Sequence, residues 1–160
     1  GPQGMYAIEA AKLAATGASG EEIMAHLQEL KPTMSAYFIV DDLSHLQRGG
    51  RLSAASALIG GLLQVKPVLH FVNTKIEPFE KIRTRKKAFR RVEELLGEAV
   101  EKHGSLQATV IHANCEDEAR EWMAQLAAEY PTVDFKLSYF GPVIGTHLGE
   151  GAVALGWMKK

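Results

Sequence analysis

Residues 41–71 constrain this chain most, because a polar, charged half leads directly into an apolar one. In the polar half, Gly49 and Gly50 lie between Arg48 and Arg51. Two fixed positive charges therefore flank a backbone that can adopt positive φ and approach another group closely. Such a backbone, with arginines on both sides, is suited to binding an anion.

The apolar half predicts a helix over residues 54–63, where no side chain is charged and Ser56 is the only polar one. Ser53 is the predicted N-cap, and the free N–H groups of the first turn would point toward the same anion. A cationic entrance beside an apolar helix suits an amphiphilic ligand with an anionic head; the alternative is an ordinary loop before a buried helix. The residues expected to contact an apolar tail are Ile59, Leu62 and Leu63.

Composition excludes several classes of protein. The chain has 160 residues and a formal net charge of −1, which fits one globular domain without a chain-wide field for nucleic acid or anionic membrane. The longest apolar run is broken by Gln64 and Lys66, short of the ~18 residues that a membrane span needs. The single cysteine, Cys115, cannot form an internal disulfide, which suits a reducing compartment.

Periodicity and turn residues predict alternating helices and strands. Ser19 and Glu22 form a capping-box signature, Thr84 is a predicted N-cap, and Pro78 marks an edge or bulged strand. Helices are predicted over residues 5–15, 20–31, 43–48, 54–63, 85–103 and 117–130. Strands are predicted over residues 36–40, 68–72, 75–82, 106–112, 133–140 and 152–158, with a turn at Asn73-Thr74. The expected fold is α/β (α+β), a single domain over residues 1–160 with about six strands in a mixed, largely antiparallel sheet.

Residues 81–91 form the densest basic run of the chain. Many cations at a helix start oppose the helix dipole, so an anion or acidic partner is expected to compensate them. Arg83 and Arg85 lie at the strand-to-helix corner and are the candidates for contact with a partner or a phosphate. The alternatives are a solvated helix face, or a nucleic-acid or regulatory interaction module. Phe89 is the only aromatic residue in the run, which disfavours base stacking.

Residues 141–151 predict a glycine-rich loop in which Thr146 and His147 offer two donors. We expect Arg51 and His147 to converge on a ligand carboxylate, because each lies on a glycine-flanked loop that adjoins an apolar segment. Thr146 is expected to add its hydroxyl. The alternative is that Arg51 pairs with Asp41 or Asp42 while His147 faces solvent. The other histidines lack metal-ligand spacing: His26, His45, His70, His103 and His112.

Several separated motifs together resemble the DegV family of bacterial fatty-acid-binding proteins. In chain order they are DDLSHLQRGGR at 41–51, ALIG at 57–60, KPVL at 66–69, KIRTRKKA at 81–88 and GTH at 145–147 followed by Gly151-Ala152. The resemblance extends over nearly the whole chain and departs from the family pattern at Leu148 and Glu150. It identifies the chain as the C-terminal, lipid-binding lobe of a two-lobed protein.

The resemblance implies a cytoplasmic carrier that holds a long-chain fatty acid and presents its carboxylate to a separate kinase, which makes an acyl phosphate. It implies no cofactor, no metal, no catalytic residue, no nucleic acid and no membrane insertion, since the carrier itself does no chemistry. The partner would be the catalytic subunit of a fatty acid kinase. The expected sites are Arg51, Thr146 and His147 for the carboxylate, Ile59, Leu62 and Leu63 for the tail, and Arg83 and Arg85 for the partner.

Overall fold

The structure is a computed structural model that describes residues 1–41, 43–51, 66–72 and 75–160. These residues form six helices, six strands and a 3-10 turn at Lys31–Thr33. The helices are α1 Pro2–Ala15, α2 Gly20–Leu30, α3 Ser44–Arg48, α4 Arg85–His103, α5 Glu116–Glu129 and α6 Pro142–Leu148. The strands are β1 Ser35–Ile39, β2 Val68–Val72, β3 Lys75–Glu80, β4 Leu106–His112, β5 Val133–Tyr139 and β6 Val153–Lys159.

Local signals set the helix starts as predicted. At α2 the Ser19 hydroxyl accepts from the Glu22 N–H at 3.2 Å, and the Glu22 carboxylate accepts from the Ser19 N–H at 2.7 Å. At α4 the Thr84 hydroxyl accepts from the N–H of Lys87 at 3.3 Å. Both arrangements satisfy N–H groups that have no partner inside the helix. The capping predictions for Ser19 and Thr84 are therefore confirmed.

The sheet has the strand order β3-β2-β1-β6-β4-β5. Its neighbours are antiparallel throughout except β4 and β5, which are parallel. The predicted mixed, largely antiparallel six-stranded sheet is thus confirmed. Pro78 lies in β3 at the sheet edge, where a missing N–H is tolerated, and the β2–β3 register shifts between Val68 and Leu69.

The two faces of the sheet are covered differently. Helices α4 and α5 cover the first face, where Leu96, Trp122 and Leu155 belong to one buried cluster. The second face is covered by α1 and α2 at one end and by α3 and α6 at the other. The first of these ends is built on Met5, Leu30 and Met158. The second contains Phe38, Val40, Leu46, Leu148 and Ala154.

Residues 142–148 are helical, so the prediction of a glycine-rich loop over 141–151 is wrong there. Pro142 occupies the first turn, where its fixed φ favours a helix and its missing N–H costs nothing. Leu148 is buried among the residues at the α3 and α6 end of the second face. Burial of this side chain offsets the roughly 1 kcal/mol that a glycine such as Gly145 costs inside a helix.

Three predictions lie outside the described residues: the apolar helix over 54–63 with its Ser53 cap, the Asn73-Thr74 turn, and the pairing of Arg51 with Asp42. The tail-contact candidates belong to the same gap: Ile59, Leu62 and Leu63.

Candidate functional site

The short helices α3 and α6 meet at one end of the sheet. Helix α3 follows β1, and α6 precedes β6. Because β1 and β6 pair antiparallel, with Ile39 opposite Val153, the end of one strand lies beside the start of the other. Residues about a hundred positions apart in the sequence therefore become neighbours.

The Arg48-to-Arg51 segment ends α3 in a Schellman motif. The N–H of Arg51 donates to the Leu46 carbonyl and the N–H of Gly50 donates to the Gln47 carbonyl, both at 3.0 Å. Gly50 is the left-handed residue of the motif, with φ +67°. This geometry satisfies the last carbonyls of α3 and turns the chain so that Arg51 lies beside Gly49.

Arg51 and His147 both contact Gly49. The Arg51 guanidinium donates from Nη1 to the Gly49 carbonyl at 2.7 Å. A side chain at position 49 would collide with Nδ1 of His147 and lie 2.9 Å from its Cε1, so only glycine lets the imidazole pack here. The two residues predicted to share a carboxylate thus lie against the same residue.

The alternative pairing of Arg51 with Asp41 is not present. Asp41 accepts from Lys66 at 2.9 Å and from Arg85 at 3.2 Å. Thr146 lies beside His147, but its hydroxyl donates to the Pro142 carbonyl at 2.7 Å. Its proton therefore points back into α6, and the hydroxyl oxygen is left as an acceptor.

The contact between α3 and α6 is rich in basic side chains. His45, Arg48, Arg51 and His147 lie on these two helices and the turn that follows α3. Arg48 donates to Nδ1 of His45 at 3.3 Å, which places the proton of a neutral His45 on Nε2, since arginine cannot accept. Among the described residues, no carboxylate pairs with any of the four. Arg48 and Arg51 therefore carry positive charge without an ion pair in that part of the chain.

Arg85 lies in an ion-pair cluster. Its Nε and Nη2 donate to the two carboxylate oxygens of Glu118 at 2.8 and 2.6 Å, and its Nη2 also donates to the Gly151 carbonyl at 2.6 Å. Asp41 completes the cluster. The hydrogen bonds that Arg85 donates to Glu118 raise the pKa of its guanidinium above the usual value. This arrangement gives Arg85 structural partners and favours Arg83 for a role toward an external partner.

Arg83 is exposed and, within the described part of the chain, has no hydrogen bond or ion pair. Exposed neighbours without an acidic partner among the described residues are Lys81, Lys86, Lys87 and Arg90. Arg91 differs, because it pairs with Glu80 at 2.8 Å and with Glu94 at 3.2 Å. Two of the seven cations of the basic run are thus paired with carboxylates, and the other five are exposed without an acidic partner in the described part of the chain.

Phe89, the one aromatic ring of the basic run, packs edge-on against Trp122 with centroids 4.5 Å apart. Arg85 lies over it, with its guanidinium carbon 5.3 Å from the ring centroid. Phe89 therefore serves the packing between α4 and α5 and offers no platform for stacked bases.

Cys115 is half-buried, and burial raises the pKa of its thiol, with Glu118 adding to the shift. The thiol thus favours its protonated form. Within residues 1–41, 43–51, 66–72 and 75–160, no cluster of three potential His, Cys, Asp or Glu ligands is arranged to hold a metal ion. No helix in that part of the chain is long and apolar enough to cross a bilayer.

Comparison with known proteins identifies the family of this chain. The family profile described as "Uncharacterised protein, DegV family" matches residues 1–160. Protein DegV of Bacillus subtilis is 59% identical over 159 residues, covering 99% of this chain and 57% of that protein. The chain belongs to the DegV family.

Two solved DegV-family structures share the fold. The crystal structure of DegV from Bacillus subtilis, described as a fatty acid binding protein, has a TM-score of 0.89 and 58% identity. A fatty acid binding DegV family protein from Streptococcus agalactiae has a TM-score of 0.89 and 39% identity. In both comparisons 99% of this chain and 56% of the other are covered, so the chain spans little more than half the length of these DegV relatives.

Analysis of the DegV-family sequence alone missed His45, which was grouped with the histidines that lack metal-ligand spacing. The signal was present, because Ser44-His45-Leu46 and Thr146-His147-Leu148 share a hydroxyl–His–Leu pattern, with Gly49 three residues after the first triplet and Gly149 directly after the second. The structure places these two triplets in the two helices that meet. Their similarity is thus a feature of the contact between α3 and α6.

The ion-pair cluster predicts different costs for the two arginines of this DegV-family chain. In the full-length protein, Arg85→Ala should lower the free energy of unfolding by about 1–2 kcal/mol, because Glu118 and Asp41 lose their partner at a half-exposed position. Arg85→Lys should lower the free energy of unfolding by a smaller amount, since an ammonium keeps the charge but cannot form the bidentate fork. Arg83→Ala should change it by less than about 0.5 kcal/mol. Urea unfolding measures all three, and an equal cost for Arg83→Ala and Arg85→Ala would contradict the assignment.

Proposed function

We propose that this chain binds a long-chain fatty acid, with the carboxylate held by Arg51 and His147 and the tail lying along the second face of the sheet. The observation that carries the proposal is the contact of both side chains with Gly49, without a carboxylate partner in the described residues. Independent support comes from the Bacillus subtilis and Streptococcus agalactiae relatives, which are fatty acid binding proteins.

The head group needs donors because an unpaired carboxylate is costly to remove from water. Arg51 brings a permanent charge and retains donors beyond the one directed at Gly49. His147 is half-buried and can donate or accept according to its protonation. Thr146 was a third candidate; in the present orientation its hydroxyl oxygen is turned to accept, so it would have to rotate before donating to a carboxylate.

The tail requires an apolar path that begins near this head-group site. Next to α3 and α6, the second face carries an aromatic row in which the Phe38 ring lies 4.9 Å from Phe71 and 6.3 Å from Phe140. Phe71 is 53% exposed, which is unusual for a phenylalanine and offers apolar surface to a ligand. Burial gains about 0.8 kcal/mol per methylene, so a sixteen-carbon tail gains on the order of 10 kcal/mol before ordering costs.

Beyond the aromatic row, a cleft of about 390 Å³ lies between α1 and the paired strands β1 and β2. Pro2, Tyr6, Met34, Ala36 and Phe71 are among its lining residues. Its lining is mainly apolar, and its volume is in the usual range for small-molecule sites. We assign the far end of the tail to this cleft, and Ile59, Leu62 and Leu63 remain the proposed tail contacts from the sequence.

The exposed basic side chains suit presentation of the bound acid to a partner. We assign Arg83 to the transferred phosphate or to an acidic surface of a fatty acid kinase catalytic subunit, which would form the acyl phosphate. The sequence predicts the same role for Arg85. Because its guanidinium is bound to Glu118, Asp41 and Gly151, we assign it instead to stabilising the start of α4 beside Arg83. In this proposal the chain is the C-terminal lipid-binding lobe of a non-catalytic, cytoplasmic carrier with the fatty acid as its only ligand.

Removing the head-group donors should reduce selectivity for an acid more than total lipid affinity. In the full-length protein, Arg51→Ala or His147→Ala should weaken palmitate binding about tenfold or more, since a charge-assisted hydrogen bond is lost. Binding of hexadecanol, with the same tail and no charge, should change little. Calorimetry with the two ligands measures the ratio. Equal losses for both ligands would remove these residues from the head-group site.

The tail assignment predicts that a charge in the apolar segment prevents uptake. Ile59→Asp should abolish lipid uptake in the full-length protein, because the tail would have to bury a carboxylate. Ser56→Asp, in the same segment but at a polar position, is the matched control and should retain most of the lipid. Native mass spectrometry of the purified proteins reads out bound lipid. Unchanged lipid content in a folded Ile59→Asp variant would exclude the segment from the site.

The partner assignment predicts a loss of transfer without a loss of binding. Arg83→Ala should lower phosphorylation of the bound fatty acid by a fatty acid kinase, while palmitate affinity stays nearly unchanged. Lys102→Ala removes a charge from the exposed C-terminal end of α4, the helix that Arg83 precedes. This control should leave both phosphorylation and palmitate affinity intact. If Arg83→Ala instead weakens palmitate binding to the same extent, Arg83 belongs to the head-group site.

A further inference from the structure

The contact between α3 and α6 contains two reciprocal histidine–glycine pairs. His147 of α6 packs against Gly49 at the end of α3. In the opposite sense, His45 of α3 packs against Gly149 at the end of α6, where an added Cβ would lie 2.8 Å from Cδ2 of His45. Each helix thus contributes one imidazole, and each helix end supplies the glycine against which the other imidazole rests.

Gly149 meets two requirements at once. Its φ of +81° ends α6, and its N–H donates to the Gly145 carbonyl at 2.8 Å. Its missing side chain makes room for the imidazole of His45. A larger residue would be strained by the positive φ and would also displace the ring.

Packing must fix the relative position of these helices, because five-residue and seven-residue helices have little stability of their own. Below the histidines, Leu46 and Leu148 are fully buried, which sets the depth of each helix. One ring contact would leave α6 able to rotate about that point. Two contacts in opposite senses fix its rotation as well.

We propose that His45, packed on Gly149, is a positioning residue that holds the His147 imidazole beside Arg51 at the head-group site. The inference rests on the proposed function and assigns His45 no contact with the ligand. Arg48 donates a hydrogen bond to Nδ1 of His45, and this hydrogen bond helps to hold the ring in place. What His45 supplies is the shape of a flat ring above Gly149, and an aromatic ring of similar size should replace it.

The test compares His45→Ala with His45→Phe in the full-length protein. In ¹⁵N NMR of the ligand-free protein, His45→Ala should shift the imidazole signals of His147, because α6 loses the contact between Gly149 and His45. It should also reduce the preference for palmitate over hexadecanol about tenfold, the size of one weakened charge-assisted hydrogen bond. His45→Phe should keep the wild-type His147 signals and stay within about twofold of the wild-type preference.

The outcomes separate this inference from the proposed function. Unchanged His147 signals and an unchanged preference in His45→Ala would overturn the positioning role, as would equal losses in His45→Ala and His45→Phe. If His45→Ala does not fold, the phenylalanine variant alone decides: displaced His147 signals in a folded His45→Phe protein overturn the inference. If the wild type does not prefer palmitate, the proposed function fails, while the ligand-free NMR comparison still tests the role of His45.

Discussion

The antiparallel pairing of β1 with β6 is the constraint on which the rest of this structure depends. Tyr37 lies opposite Leu155 in the middle of the ladder, and β6 is buried along almost its whole length between β1 and β4. Because the strands run in opposite directions, the chain leaving β1 and the chain entering β6 share one end of the sheet. Helices α3 and α6 occupy those two connections. Every contact proposed for the head group follows from this placement.

Glycine at this end of the sheet serves close packing. The spacing of glycines after β5 is typical of a loop, and composition alone favours that interpretation. The structure shows instead that Gly49 and Gly149 are places where an imidazole lies directly on the backbone. A segment can therefore be rich in glycine because its neighbours come close. The helix itself depends on Pro142 in its first turn and on the burial of Leu148, since an added Cβ at Gly145 would meet nothing within 4 Å.

Much of the fold could be predicted because its signals are local. The Ser19–Glu22 capping box, the edge position of Pro78 and the strand periodicity each depend on residues within a few positions of one another. The site was less accessible, since its contacts are long-range: Arg85 binds Glu118 across 33 positions and Asp41 across 44. No local pattern distinguishes Arg85 from Arg83. The contact of both Arg51 and His147 with Gly49 is also long-range, since it brings position 147 to position 49.

The ion pairs of Arg85 link this packing to the proposed site without touching a ligand. Asp41 lies between β1 and α3, and Gly151 lies between α6 and β6. One guanidinium binds both, and Glu118 anchors it to α5. The Arg85 side chain is 22% exposed, so its attraction to these carboxylates is screened less than that of a surface pair. These two arginines thus differ: Arg85 is paired with carboxylates and holds the two connections together, while Arg51 has no carboxylate partner among the described residues, as the proposed head-group site requires.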